Sequence, residues 1–186
     1  AHVDDQRLLY WNFDAKPGLY QKNGTPVSPK SGIEIYRDAY GVPAIYAGTV
    51  RDLWFGVGYA VAQDRLFLMD AVRREADGTM GELSGCGNVP ADIEARVLTY
   101  TDAEYQAFFA RLSPDAQDAV QGYVDGANAW RAQALLDPTK LPAEYALLTT
   151  SPAPFTIKDV LAAGVYITRF VAAEGGNEFE NIRMLQ

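Results

Sequence analysis

Apolar positions recur every three or four residues along Tyr59, Ala62, Leu66, Met69, Val72 and Ala76. That spacing places them on one face of a helix. The pattern predicts a helix from about Val50, opened by Thr49 with Asp52 three residues on as a capping-box pair and stopped by Asp77-Gly78. Gly56 and Gly58 are expected to interrupt it. Each costs roughly 1 kcal/mol against Ala inside a helix, so their presence implies close packing against another backbone. A second helix follows Ser113-Pro114-Asp115: Ser caps, Pro suits the first position, and Asp opposes the positive end of the dipole. Its stripe is Ala116, Val120, Tyr123, Ala127, Trp130 and Ala134, and Asp137-Pro138 ends it. A third begins at Thr156, with Asp159 completing a capping box and Phe155 stapling against Val160. Its body, VLAAGVYITRF, is apolar nearly all round, which predicts burial on most sides.

Alternation changes to a period of two in IEIYRDAYGVPAIYA. Ile33 and Ile35, then Val42 and Ile45, predict two short strands joined by a turn at Asp38–Gly41. Pro43 lacks a ladder donor, so the second strand starts late or lies at an edge. Residues 1–31 mix LLYWNF with turn-forming Pro and Gly and read as an irregular segment whose apolar side chains pack on something. The chain is thus mostly α with a few short strands, and residues 32–186 form one helical domain. A lone hairpin is marginal in water, so these strands call for partners.

Composition narrows the chemistry. The 186 residues are 48% apolar and 22% charged, enough for a sizeable core. A net charge of −8 argues against nucleic acid and anionic lipid as partners. No run reaches the ~18 apolar residues of a membrane-spanning helix. Cys86 is the single cysteine and His2 the single histidine. A Ser-His-Asp or Cys-His system, or a zinc site of His and Cys ligands, therefore lacks its residues within this chain.

The segments GIEIYRDAYGVPAIYA, DLWFGVGYAVAQDRLFLMDAVRREADGTMGELSG, LSPDAQDAVQGYVDGANAW, LPAEY and ITRFVAAEGGNEFEN resemble, in that order, the penicillin amidase (penicillin acylase) family of N-terminal-nucleophile hydrolases. The resemblance covers about residues 32–183. It departs at Ala44, often His in the family, and at Phe155, often Trp. It implies the α chain of a precursor that cuts itself into α and β chains, here completing an αββα fold with a separate β chain. The nucleophile is then the N-terminal Ser of that β chain, with its own α-amine as base, and no catalytic residue lies in this chain. The implied reaction is hydrolysis of an N-acyl amide such as a penicillin, or of an acyl-homoserine lactone, cephalosporin or lipopeptide. The opening AHVDD fits a mature terminus left by signal cleavage, and the resemblance implies a periplasmic or secreted enzyme.

The same resemblance assigns residues. Tyr166, Arg169 and Phe170 match positions that line the acyl pocket. Tyr166 and Phe170 share a helical face, and an aromatic pair can wall an apolar acyl group. Read from the residues alone, the two rings are core and Arg169 is solvated. Tyr166 replaces a smaller or thinner side chain, which leaves the acyl preference open. Glu178, in NEFEN, matches the family's calcium ligand, shared with oxygens of the β chain; the preceding loop is about two residues longer here. Glu174 and Glu180 beside it read as solvated. Gln63-Asp64-Arg65 interrupts the first helix's apolar run and reads as a polar anchor to strands or partner chain rather than a catalytic group. Arg73-Arg74-Glu75 reads as a solvated or interfacial ion-pair patch. A stand-alone acidic helical interaction module is the competing reading of another class.

Overall fold

The computed structural model describes residues 24–173 together with Lys22 and Arg183. Strands β1 (Ile33–Arg37) and β2 (Pro43–Ala47) pair antiparallel, with Ile35 opposite Ile45. Gly41 closes the intervening turn with φ +81°, and the Asp38 carboxylate accepts from the Tyr40 and Val42 amides. A single bridge from Val27 to Ile35 covers the other side of β1, so β2 is the edge and Pro43 stands at its first position. The hairpin's buried face, Ile33 and Ile35, rests on the first helix.

Seven helices follow among the described residues: α1 (Val50–Asp77), α2 (Gly81–Ser84), α3 (Val89–Leu98), α4 (Asp102–Arg111), α5 (Pro114–Leu136), α6 (Ala143–Leu147) and α7 (Ile157–Ala173). The three expected long helices are α1, α5 and α7. Their signals hold: Thr49 caps Asp52, Ser113 caps Ala116, and Gly78 ends α1 in the left-handed region with φ +62°. Thr156 and Asp159 form a reciprocal capping box, at 2.7 and 3.3 Å.

Helices α1 and α5 run side by side in the same direction, and their backbones nearly touch. A Cβ on Gly126 would lie 1.9 Å from the Phe55 carbonyl oxygen, one on Gly58 2.1 Å from that of Tyr123, and one on Gly122 2.3 Å from that of Arg51. Gly56, one residue round from that seam, faces Ile45 and Ile33 of the hairpin instead. The glycines therefore do not interrupt α1; they let it lie against two neighbours. The helix breaks at Arg65, whose φ of −143° and ψ of 29° are non-helical. The break falls just after Asp64, which Arg37 of β1 grips with both guanidinium nitrogens at 2.9 Å while also donating to Gln63 and to the Gly41 carbonyl. Gln63 and Asp64 are thus the expected anchor between helix and strand.

Two apolar cores result. One joins the hairpin, α1, α5 and α6 around Tyr59, Leu66, Trp130 and Tyr145. The other joins the end of α1 to α4 and α7 around Ala76, Tyr105, Leu161 and Ala162. Two expectations are corrected. Helix α7 is not buried on most sides within this chain: Leu161 and Ala162 are covered on its inner side, while Ile167, Phe170 and Val171 are exposed. Arg73 and Arg74 are not a solvated patch, since both guanidinium groups converge on the wholly buried carboxylate of Asp70.

The helix seam yields a test. Gly126→Ala forces a methyl into the Phe55 carbonyl and is expected to lower unfolding free energy by about 1–3 kcal/mol. Gly87→Ala, where nothing stands within 4 Å, should change it by less than about 0.5 kcal/mol. Thermal or denaturant unfolding of the two variants beside the parent checks this.

Candidate functional site

Helix α7 carries the expected site residues, and its position decides what they face. Its inner side rests on Ala76 of α1 and Tyr105 of α4. Alongside runs an open groove of about 370 Å³ between α7, α3 and the end of α1. Tyr166, Arg169 and Phe170 all line it. Ala91, Ala95 and Leu98 form the facing wall, Ala76, Ala162 and Val165 line it further, and Glu75 and Glu94 supply its carboxylates. The spacing of three and four residues that put the trio on one helical face thus also puts it in one cavity.

Each of the three has a different standing. Phe170 is 62% exposed, so it is no core ring of this chain. Tyr166 is half-buried and packs against the second core. Burial first, then the Glu75 carboxylate beside its hydroxyl, pushes the Tyr166 phenol above its ordinary value. It therefore stays protonated near neutral pH and can donate a hydrogen bond, but cannot act as a base there. Arg169 is not free in solvent: its guanidinium donates to the Leu98 carbonyl and lies 5.4 Å from the centre of the Tyr100 ring. It ties the outer half of α7 to the link between α3 and α4.

Glu178 lies outside the described residues, as do Glu174 and Glu180. Among the described residues, no group of three or more His, Cys, Asp or Glu side chains comes together to hold a metal ion. Cys86 is free and exposed in a short 3-10 turn and does not line the groove. The groove's wall on α3 was missed in the sequence, although Thr101 with Glu104 three residues on is a capping-box signature that marks the start of α4. The structure forms that box in full.

The seat of α7 is polar. The segment leading into it, outside any helix or strand, is held by side chains of the two long helices. Arg131 donates to the Pro152 carbonyl at 2.7 Å. The Asn128 amide donates to the Phe155 carbonyl and accepts from the Phe155 amide, both at 2.8 Å. Arg73 donates to the carbonyls of Ala153 and Pro154 at 3.3 and 3.0 Å, lies 4.8 Å from the centre of the Phe155 ring, and stands 3.9 Å from the Asp159 carboxylate. Asp70, which pairs with Arg73, also accepts from the Tyr145 hydroxyl at 3.4 Å. A second, largely apolar groove of about 430 Å³ lies across α7, with Leu68, Met69 and Ile167 on its walls and Arg73 and Asp159 at its edge.

Comparison with known proteins places the chain. The penicillin amidase family profile matches residues 32–186. Penicillin G acylase of Escherichia coli is 35% identical over 181 residues, 96% of this chain and 20% of that protein. The acyl-homoserine lactone acylase PvdQ of a Pseudomonas fluorescens strain is 36% identical over 108 residues, 54% of this chain and 14% of that protein. Among solved structures, a thermostable penicillin G acylase from Alcaligenes faecalis matches with a TM-score of 0.67 at 42% identity, over 72% of this chain and 70% of that one. The chain spans about a fifth or less of the length of these curated relatives.

Asp159 offers a test of the polar seat. Burial is the largest influence on its carboxyl and raises its pKa above the ordinary 3.8, against the lowering effect of Thr156 and Arg73. The folded state therefore holds this proton at a pH where the unfolded chain has released it. Its contribution to stability falls as pH rises from the ordinary value through the raised one, and is constant above. Asp159→Asn keeps an oxygen for the Thr156 amide but cannot ionise. Unfolding free energies measured across that acidic interval should decline less steeply with pH in the variant than in the parent.

Proposed function

The chain belongs to the penicillin amidase family, and from that premise we propose that it is the α subunit of a heterodimeric acylase. The enzyme hydrolyses the amide bond of an N-acylated substrate such as a penicillin, releasing a carboxylic acid and an amine. The observation that carries this reading is the gathering of Tyr166, Arg169 and Phe170 on one groove of suitable size for a small acyl group. The likeness to penicillin G acylase extends over 96% of this chain, against 54% for the acyl-homoserine lactone acylase PvdQ, and this wider match supports a penicillin-type substrate.

The chemistry belongs to the partner. The N-terminal Ser of a β chain attacks the amide carbon, and its hydroxyl proton passes through water to its own α-amine. That amine has an ordinary pKa of about 8 and accepts a proton near neutral pH without a histidine. The C–N bond breaks as the amine leaves with a proton, and water then hydrolyses the acyl ester. Donors of the β chain stabilise the oxyanion. This chain contributes no reacting group. It supplies an aromatic wall for the acyl group, completes the αββα fold with the β chain, and offers the exposed apolar side of α7 to that interface. The enzyme acts in the periplasm or outside the cell.

Glu178 holds a structural calcium ion together with oxygens of the β chain. Calcium takes six to eight oxygens, and one carboxylate gives at most two, so most ligands come from elsewhere. The ion would neutralise carboxylates at the junction of the two chains and pin them together.

Two measurements test the proposal. The assembled enzyme should release acid from N-acyl amides, and Tyr166→Ala or Phe170→Ala should reorder the acyl groups it accepts. A shift of roughly 1–3 kcal/mol in relative kcat/KM between acyl groups is the expected size. An equal loss on every acyl group, with a large fall in thermal stability, makes both rings structural and overturns the acyl-wall reading. Glu178→Gln should lower the calcium content of the purified two-chain enzyme and loosen its assembly, with a smaller effect on turnover. Elemental analysis beside the parent decides, and equal calcium in both removes the role.

A further inference from the structure

We propose that Arg73 is a positioning residue for the acyl groove: its forked grip on α7 and the segment before it sets where Tyr166 and Phe170 stand. The inference rests on the reading of that groove as the acyl site, and it assigns a task to a buried charge that the proposed chemistry does not use.

Arg73 is 8% exposed, and a guanidinium in that setting is stable only when its donors are satisfied. They are satisfied by groups of three kinds. Asp70, wholly buried on the same helix, neutralises it from behind. The carbonyls of Ala153 and Pro154 accept from its outer nitrogen, which also faces the Asp159 carboxylate. The Phe155 ring lies beside its guanidinium. Asp159 is at the same time half of the capping box that starts α7, so the helix begins where Arg73 holds it.

The consequence is one of leverage. At 1.5 Å per residue, Tyr166 lies about 10 Å and Phe170 about 16 Å along α7 from Asp159. A tilt of about 5° at the seat displaces Phe170 by roughly 1.4 Å, enough to change which acyl groups the aromatic wall fits. Along the outer half of α7 the polar ties to the rest of the described chain are few: Arg169 to the Leu98 carbonyl, and the Tyr166 hydroxyl beside the Glu75 carboxylate. Direction is therefore set at the N-terminal end. The planar fork matters as well as the charge: lysine offers a single ammonium and cannot span two carbonyls and a carboxylate in fixed geometry.

The test is Arg73→Lys in the assembled enzyme, read in two ways. Amide hydrogen exchange should show α7 losing protection by about tenfold or more, while α5 keeps its own. Across a panel of N-acyl amides, KM should rise unevenly, by about fivefold or more for acyl groups that reach Phe170, with kcat on the best substrate within about twofold. Unchanged exchange in α7 overturns the proposal. So does a loss of protection spread equally over α1, α5 and α7, which makes Arg73 a general core residue. If Arg73→Lys does not assemble, Asp159→Asn removes the carboxylate that Arg73 faces while keeping an oxygen for the cap, and the same two outcomes apply. If the parent cleaves no member of the panel, the acylase reading fails, and the exchange pattern alone decides whether Arg73 seats α7.

Discussion

The described fold is built on the contact between α1 and α5, where at three glycines the two helix backbones meet with no side chain between them. At Gly58, Gly122 and Gly126 a single added methyl would collide with a carbonyl of the facing helix. Such a contact allows one register, because a slide of one residue would bring a side chain where only hydrogen fits. The seam orients Tyr59 against Trp130, edge to face at 5.5 Å, and joins Arg51 to Asp125 at 2.9 Å. It leaves α1's other sides free, one for the hairpin and one for α7.

From that base the candidate site is a matter of reach. The first part of α1 is tied to β1 through Arg37. The part after the break at Arg65 carries Asp70, Arg73 and Ala76 to α7. Helix α7 is packed on its inner side and bare on its outer one. Its exposed residues include Phe170, which belongs to the groove, and Ile167 and Val171. A helix left in that state is suited to lie between two bodies, which agrees with a chain that spans only a part of the proteins it resembles.

Local chemistry was legible in the sequence wherever the cause was itself local. The caps at Thr49, Ser113 and Thr156, the stop at Gly78 and the turn before Pro43 each depend on residues within a few positions. The sequence also announced close packing at Gly56 and Gly58; Gly58 meets the backbone of Tyr123 as expected, whereas Gly56 meets the side chains of Ile45 and Ile33. Helices α3 and α4 went unread because Ile93, Val97, Leu98 and Phe108 face outward, so their apolar periodicity does not trace a core stripe. Arg73 looked like surface charge because the carbonyls that bury it arrive eighty residues later. The trio on α7 was legible as a helical face, whereas its opposite wall on α3 required the fold. The assignment of Glu178, outside the described residues, rests on resemblance alone.

One feature of the seat changes how the chain's linkage to α7 is understood. Between Pro152 and Thr156 the backbone belongs to no helix or strand, two of its residues are prolines without an amide hydrogen, and its carbonyls are taken in turn by Arg131, Arg73 and Asn128. This is how a protein recognises a peptide: a segment stiffened by proline and read along its backbone by side chains of a preformed surface. The molecule is in this sense its own receptor, and α7 is the cargo tethered to the ligand. Its attachment has the directionality of recognition, where an apolar contact alone would let the helix roll.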